Sequence, residues 1–242
     1  MNDSDVMLGI LPFVAEYRPH VIVNGVFSVS QDPASFVQNS KNPALFAIIA
    51  RSVGARFFHL SDSSMFRSSM PDDTTKPYPQ EIYGLSRLIG ERAVMSVHKK
   101  ATIVRMSWLY GIDIPESPPM IAWAHSVGVK KNAHIYDDIT VSPTYVGDAA
   151  SLLATRILMG PSVVGVVHLG PNVSKTWFEL LREEFPRILP LKSQRLLLTQ
   201  GTSRSVAVTP SKGWILSTKD GFNRFMGEVK SGGFPEGEEA SK

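Results

Sequence analysis

Tyr83 and Arg87 lie four residues apart in the stretch Pro79-Gln80-Glu81-Ile82-Tyr83-Gly84-Leu85-Ser86-Arg87-Leu88-Ile89-Gly90-Glu91. On a helix that spacing brings both side chains to one face, where a cation beside a phenol favours the phenolate. The pair is suited to proton transfer. Other chemistry-bearing residues are scattered: His20, His59, His98, His125, His134 and His168 are isolated, with no HxxxH or HxH pair. Zinc needs clustered ligands, so no metal site is expected.

The elements that must position this pair follow from periodicity. The apolar segment Val6 to Tyr17 has helical spacing interrupted by Pro12, and it leads into the β-branched run HVIVN, His20 to Asn24, a buried strand. Asn42 before Pro43 predicts a helix start, with the helix running from Pro43 to Val53. RFFHL, Arg56 to Leu60, is the next strand, and a polar loop spans Ser61 to Pro79. Ile82, Leu85, Leu88, Ile89, Ala93 and Val94 predict the apolar side of a helix from Ile82 to His98, and Ala101 to Met106 returns to strand. Strands alternating with long helices imply crossover units and a parallel sheet covered on both faces.

Beyond Gly111 the alternation loosens. A proline-rich stretch from Pro115 to Pro119, a helix near Met120 to Val129 and a turn-rich segment from Asp137 to Asp148 predict a small lobe. Val163 to Leu169 is a strand, and Thr176 with Glu179 forms a capping box opening a helix to Phe185. Asp148 is expected to cap the helix after it, Trp177 and Phe178 to be core, and His168 to be a satisfied buried imidazole. The glycine-rich acidic tail, Ser231 to Lys242, is expected to be disordered.

Composition narrows the class. The chain has 242 residues, 43% hydrophobic and 19% charged, enough for a sizeable core. The absence of cysteine excludes disulfides and thiolate metal sites, and it predicts a cytoplasmic setting. A net charge of +3 comes from dispersed lysines and arginines, too weak a footprint for nucleic acid. No apolar run approaches membrane-helix length, and the acidic start, Met1 to Asp5, is unlike a secretory signal.

The stretch around Tyr83 resembles the P-x-x-x-YG-x-[ST]-K-x-x-x-E signature of extended short-chain dehydrogenases/reductases, in the dTDP-4-dehydrorhamnose reductase branch. Four more segments agree in order: Arg18 to Asn24 (RPHVIVN), Phe58 to Phe66 (FHLSDSSMF), Val104 to Gly111 (VRMSWLYG) and Ser142 to Ala150 (SPTYVGDAA). The resemblance covers residues 3 to 228, and the same branch includes the regulatory β-subunit of methionine adenosyltransferase. It implies a Rossmann-like α/β sheet truncated at the N-terminus, with a partial Rossmann-like domain over 1–111, a sheet-completing and substrate-lobe segment over 112–230 and the tail at 231–242.

The resemblance also implies roles. Tyr83 would be the general acid toward a substrate carbonyl, Arg87 the cation that tunes it, and Ser61 the carbonyl-polarising hydroxyl. NADP would lie against Asn24, Val26, Ser28, Ser61, Tyr83 and Arg87, and a sugar nucleotide against Asn39, Trp108 and Arg204. Alternatives stand beside three of these: Trp108 packs in the core, Asn39 is a turn former, and Arg204 is a solvated surface arginine.

Three departures from the family pattern weaken hydride transfer. The family's S-T-D-Y-V-F reads Ser61-Asp62-Ser63-Ser64-Met65-Phe66, putting aspartate where threonine would donate to a carbonyl. Arg87 replaces a lysine and cannot relay a proton as an amine can. No glycine triad opens a helix to hold a pyrophosphate. Phe27, in Gly25-Val26-Phe27-Ser28, is further expected to crowd the cofactor groove. These departures favour a non-catalytic protein that binds or regulates a partner, like the methionine adenosyltransferase β-subunit; the other reading is an NADP-dependent reductase of a 4-keto sugar nucleotide. Without a first strand, His20 to Asn24 would form an open sheet edge, to be covered by self-association or a protein partner unless the 242 residues are part of a longer product.

Overall fold

The computed structural model describes residues 3–30, 32–67, 70–111, 133–136, 140–173, 175–176, 179–180, 183, 191–194 and 207–230. Helix α1 (Asp3–Tyr17) leads into strand β1 (Val21–Asn24). Helices α2 (Pro33–Ser40) and α3 (Asn42–Ser52) precede β2 (Arg56–Asp62). Helix α4 (Ile82–Val97) then precedes β3 (Thr102–Met106). With β8 (Gly165–Pro171) and β11 (Ile215–Leu216), these strands form a five-stranded sheet in the order β1-β2-β3-β8-β11. All its pairs are parallel, in registers such as Ile22↔Phe57, Leu60↔Val104 and Arg105↔His168. The architecture is α/β and Rossmann-like, and Ile215–Leu216 completes the main sheet.

Strand alternation sends neighbouring side chains of β2 to opposite faces. Phe57 joins Ala47, Ala50, Val94 and Ile103 on the α3–α4 side. Phe58 joins Val104, Ala149, Val167, Leu169 and Trp214 on the side covered by helix α5 (Val146–Leu158). Each large apolar side chain sealed this way stabilises the fold by about 2 kcal/mol.

Helix α4 buries only part of the face its apolar spacing predicts, Leu88 and Val94 but not Ile82, Leu85 or Ile89. Gly84, Ser86, Arg87, Gly90 and Glu91 are buried as well. Close approach decides the rotation. A Cβ at Gly84 would stand 2.5 Å from the Ser64 carbonyl oxygen, and one at Gly90 would stand 2.2 Å from that of Asn39. Backbone, not apolar side chains, therefore meets the helix there. Its buried charge is matched deeper in: Arg105 Nη2 lies 2.6 Å from Glu91 Oε2. His168 Nδ1 donates to Pro71 O at 3.1 Å while Nε2 faces Arg105 Nη1, so the imidazole is buried and satisfied.

Helix α2 is not foreseen in the sequence. Asp32 caps it, accepting from Ser35 N at 2.8 Å, and hydrogen bonds from Ser30 and Ser35 hold its carboxyl down to about 2. Asn42 is not the N-cap of α3 but its first residue, because Lys41 links the two helices directly.

In the second half, β4 (Leu109–Tyr110) pairs with β7 (Thr144–Tyr145), β5 (Ala133–Tyr136) with β10 (Leu191–Gln194), and β6 (Thr140–Val141) with β9 (Lys175–Thr176). The supposedly turn-rich run before Asp148 thus contains short strands. Asp148 itself lies inside α5 rather than at its cap, and accepts from Arg224 Nη2 at 2.6 Å, tying α5 to helix α6 (Thr218–Lys230). The Thr176–Glu179 capping box is present, with reciprocal bonds of 2.9 and 3.2 Å. The expected helix near Met120 to Val129, Trp177, Phe178, Arg204 and the tail from Ser231 lie outside the described residues.

Candidate functional site

At the carboxyl end of the sheet, where open α/β folds bind ligands, the last residue of β2 meets the first turns of α4. Tyr83 Oη donates to Asp62 Oδ2 at 2.7 Å. Arg87 Nε donates to the same oxygen at 2.9 Å, and its Nη2 donates to Leu60 O at 2.6 Å. The amide of Ser64 donates to Asp62 Oδ1 at 2.8 Å. Burial alone would raise the Asp62 pKa, but Arg87 and these hydrogen bonds outweigh it and hold the carboxyl below its ordinary range. The Arg87 side chain is 2% exposed and that of Asp62 27%, so the carboxylate is the part that faces outward.

Ser61 leaves the strand on the opposite face from Asp62. It is buried, its Oγ has no hydrogen-bond partner among the described residues, and it stands outside the Tyr83–Asp62–Arg87 group. Behind that group, His59 Nδ1 accepts from Asn24 Nδ2 at 3.0 Å. Burial and then the Arg87 charge press the His59 pKa down to about 3, so the ring is neutral. Asn24 Oδ1 also accepts from Val26 N at 3.1 Å and turns the chain after β1.

The segment after that turn is clamped by Asn39. Its Oδ1 accepts from Ser28 N at 2.9 Å, while its Nδ2 donates to Ser28 O at 2.7 Å and to Ser86 Oγ at 3.2 Å. The resemblance sets Asn39 against substrate, and the other reading makes it a turn former. It sits instead in α2, 0% exposed, and its amide fixes the Ser28 segment to α4. The clamp presents Val26 and Phe27 outward, and the Phe27 ring lies over the Arg87 guanidinium, 5.4 Å from centroid to Cζ. Trp108 follows β3 and is 39% exposed, so it is not a core residue.

The residues fit one half of a dinucleotide. Arg87 Nη1 is buried without a partner among the described residues, leaving a donor for a ribose hydroxyl beside the Tyr83 phenol. For the pyrophosphate half the described residues offer no glycine turn at a helix start: among them the positive-φ glycines stand shortly before a strand (Gly54, Gly213) or at its first residue (Gly165).

The parallel sheet with a tyrosine and a cation at the carboxyl end of its second strand defines an extended short-chain dehydrogenase/reductase fold. The family described as RmlD substrate binding domain matches residues 8–197, and the chain belongs to that family. A dTDP-4-dehydrorhamnose reductase from Streptomyces griseus is 28% identical, over 89% of this chain and 80% of that protein. Subunit beta of methionine adenosyltransferase 2 from Xenopus laevis is 27% identical, over 69% of this chain and 54% of that protein. Among solved structures, the dTDP-4-dehydrorhamnose reductase of Bacillus anthracis in complex with NADP superposes with a TM-score of 0.78 at 24% identity, covering 92% of this chain and 85% of that one.

The Asp62–Arg87 contact escapes a reading by motif. Each residue looks like a separate departure when compared with a pattern position by position, and only the structure shows that they meet.

Proposed function

We propose that this chain carries the carbonyl-facing part of a reductase acting on a 4-keto sugar nucleotide, with Tyr83 as proton donor. One observation carries the reading: the Tyr83 hydroxyl ends a hydrogen-bonded group in which Asp62 is partly open to solvent at the carboxyl edge of the sheet. The S. griseus relative, named a dTDP-4-dehydrorhamnose reductase, supports the substrate class. A substrate ketone that displaces Asp62 takes the Tyr83 hydrogen bond and then its proton. Arg87 supplies positive charge beside the phenolate, and its orientation is held by Asp62 and the Leu60 carbonyl. Arg87 stays protonated, so solvent at the exposed side of Asp62 returns the proton. Arg87 and Tyr83 would hold the nicotinamide ribose, and NADPH bound there would supply the hydride.

A second reading is favoured by a specific feature: in the resting site Asp62 holds the Tyr83 proton and Phe27 covers Arg87. A carboxylate opposes the second negative charge that proton loss would create, which suits a protein that has exchanged catalysis for partner binding. The similarity to a methionine adenosyltransferase subunit beta supports this reading. The cysteine-free composition suits a cytoplasmic setting under either one.

Titration with NADPH, followed by nicotinamide fluorescence, separates the two. Saturable micromolar binding, with turnover of a dTDP-4-keto-6-deoxy sugar that Tyr83→Phe lowers at least about 100-fold, establishes the reductase. Absence of NADPH binding, together with a change in a methionine adenosyltransferase's kinetics that Tyr83→Phe leaves intact, establishes the second reading.

A further inference from the structure

A ketone that takes the Tyr83 hydrogen bond leaves Asp62 one donor short. In the resting site three donors hold the carboxylate: Tyr83 Oη at 2.7 Å and Arg87 Nε at 2.9 Å on Oδ2, and the Ser64 amide at 2.8 Å on Oδ1. A carboxylate has about four lone-pair sites, so one is open before a ligand arrives and a second opens when the phenol turns away. Asp62 is ionised, because Arg87 and its hydrogen bonds hold its pKa below the ordinary carboxylate range. An ionised carboxylate can only accept. With its side chain 27% exposed beside the phenol, Asp62 meets whatever group the ligand carries next to its carbonyl.

The carboxylate is held too firmly to swing aside. Arg87 Nε and the Ser64 amide grip opposite oxygens, and Arg87 is itself fixed by its Nη2 on the Leu60 carbonyl at 2.6 Å. A second acceptor pressed against such a group is repelled, and an apolar group leaves the charge short of a partner where water has only partial access. A hydroxyl supplies the missing donor. Because Arg87 already matches the charge of Asp62, a neutral donor suits the place better than a second cation.

Tyr83 Oη and Asp62 Oδ2 are hydrogen-bonded neighbours, so the ligand groups that meet them must be neighbours too. We infer, on the reductase reading, that Asp62 selects an α-hydroxyketone: the carbonyl oxygen accepts from Tyr83 Oη while the hydroxyl on the adjacent carbon donates to the carboxylate of Asp62. The contact also sets which way the ligand lies, since exchanging the two groups would press the carbonyl against the carboxylate. In a 4-keto-6-deoxy sugar nucleotide the hydroxyl on C3 is that donor, because C5 carries the ring oxygen and C6 instead.

Calorimetric titration of the 242-residue chain with dTDP-4-keto-6-deoxyglucose and with its 3-deoxy counterpart, each with and without NADP, tests this. The hydroxyl-bearing ligand should bind about 10- to 100-fold more tightly, the worth of a hydrogen bond to a charged group. Asp62→Asn puts an amide donor in place of one acceptor oxygen, and the ratio should fall to about threefold or less. Circular dichroism confirms that the variant is folded. Should it fail to fold, Tyr83→Phe serves as the second variant, because it spares the Asp62–Arg87 ion pair. It weakens binding of both ligands through the lost phenol, but the ratio should stay at about 10-fold or more. Equal binding of the two ligands, a ratio that survives in folded Asp62→Asn, or one that disappears in Tyr83→Phe overturns the inference and leaves the reductase reading standing. Binding of neither ligand overturns that reading, and the inference with it.

Discussion

Arg87 and Tyr83 donate to one and the same oxygen of Asp62, at 2.9 and 2.7 Å. The aspartate and the arginine therefore form a single ion pair and not two unrelated losses, because a buried guanidinium without Asp62 would stand uncompensated. Removing one partner of such a pair strands the other. Asp62→Ala and Arg87→Met should each destabilise the fold by about 3 kcal/mol, while the double variant should cost clearly less than the sum of the two. Urea unfolding of the four proteins in the cycle checks this, and additive effects would mean that the contact contributes no coupling.

The same neighbourhood predicts acid lability of a definite sign. His59 is held to about 3 when folded, against its ordinary 6.5 when unfolded. Its contribution is therefore complete above pH 6.5 and erodes as pH falls toward 3, because only the unfolded chain takes up the proton in that window. Asp62 acts later: its lowered folded pKa gives stability that is present above the unfolded carboxylate value and is lost as pH falls through the folded one. Between pH 6 and 4 the unfolding free energy should drop with a slope of up to about 1.4 kcal/mol per pH unit from His59 alone. In His59→Gln that part of the slope should vanish, while the loss at more acidic pH due to Asp62 remains.

Phe27 offers a test of access to Arg87. The ring is 50% exposed, so Phe27→Ala should cost no more than about 1 kcal/mol of stability, the scale of an exposed cation–π contact. If the ring covers a ribose-binding donor, the variant should bind NADPH more tightly than the unaltered chain. Equal or weaker binding in the fluorescence titration would show that Phe27 is not the obstacle.

Much of the fold was legible in the sequence, and for a clear reason. RFFHL and TIVRM are compact apolar runs, as strands buried on both faces must read, and VIVN reads alike although Val23 is exposed. The site was legible only in part. Tyr83 and Arg87 are marked by helical spacing, but their meeting with Asp62 depends on how β2 ends, which periodicity does not encode. Helix α2 was hidden because PASFVQNS is polar and short, and its start is set by the hydrogen bonds of Asp32. Apolar spacing marks only part of the buried face of α4, because it assumes side chains at the contact, whereas here two glycines meet backbone.

That contact yields the sharpest steric prediction. A methyl group at Gly84 would lie 2.5 Å from Ser64 O and 3.0 Å from Ser64 C, both backbone atoms of the turn that directs Asp62 toward Tyr83. Backbone cannot rotate away as a flexible side chain can, so either α4 or the Ser63–Met65 turn must shift. Helix propensity favours alanine over glycine by about 1 kcal/mol, so a purely local helix effect would make Gly84→Ala stabilising. Overpacking should win instead, with a net loss of about 2 kcal/mol. Gly9→Ala in α1 is the matched control, since nothing lies within 4 Å of its Cβ position, and it should be neutral or slightly stabilising. Thermal unfolding of both variants decides it. If Gly84→Ala melts at or above the temperature of the unaltered chain, the close approach of α4 to the Ser64 turn does not set the site's geometry.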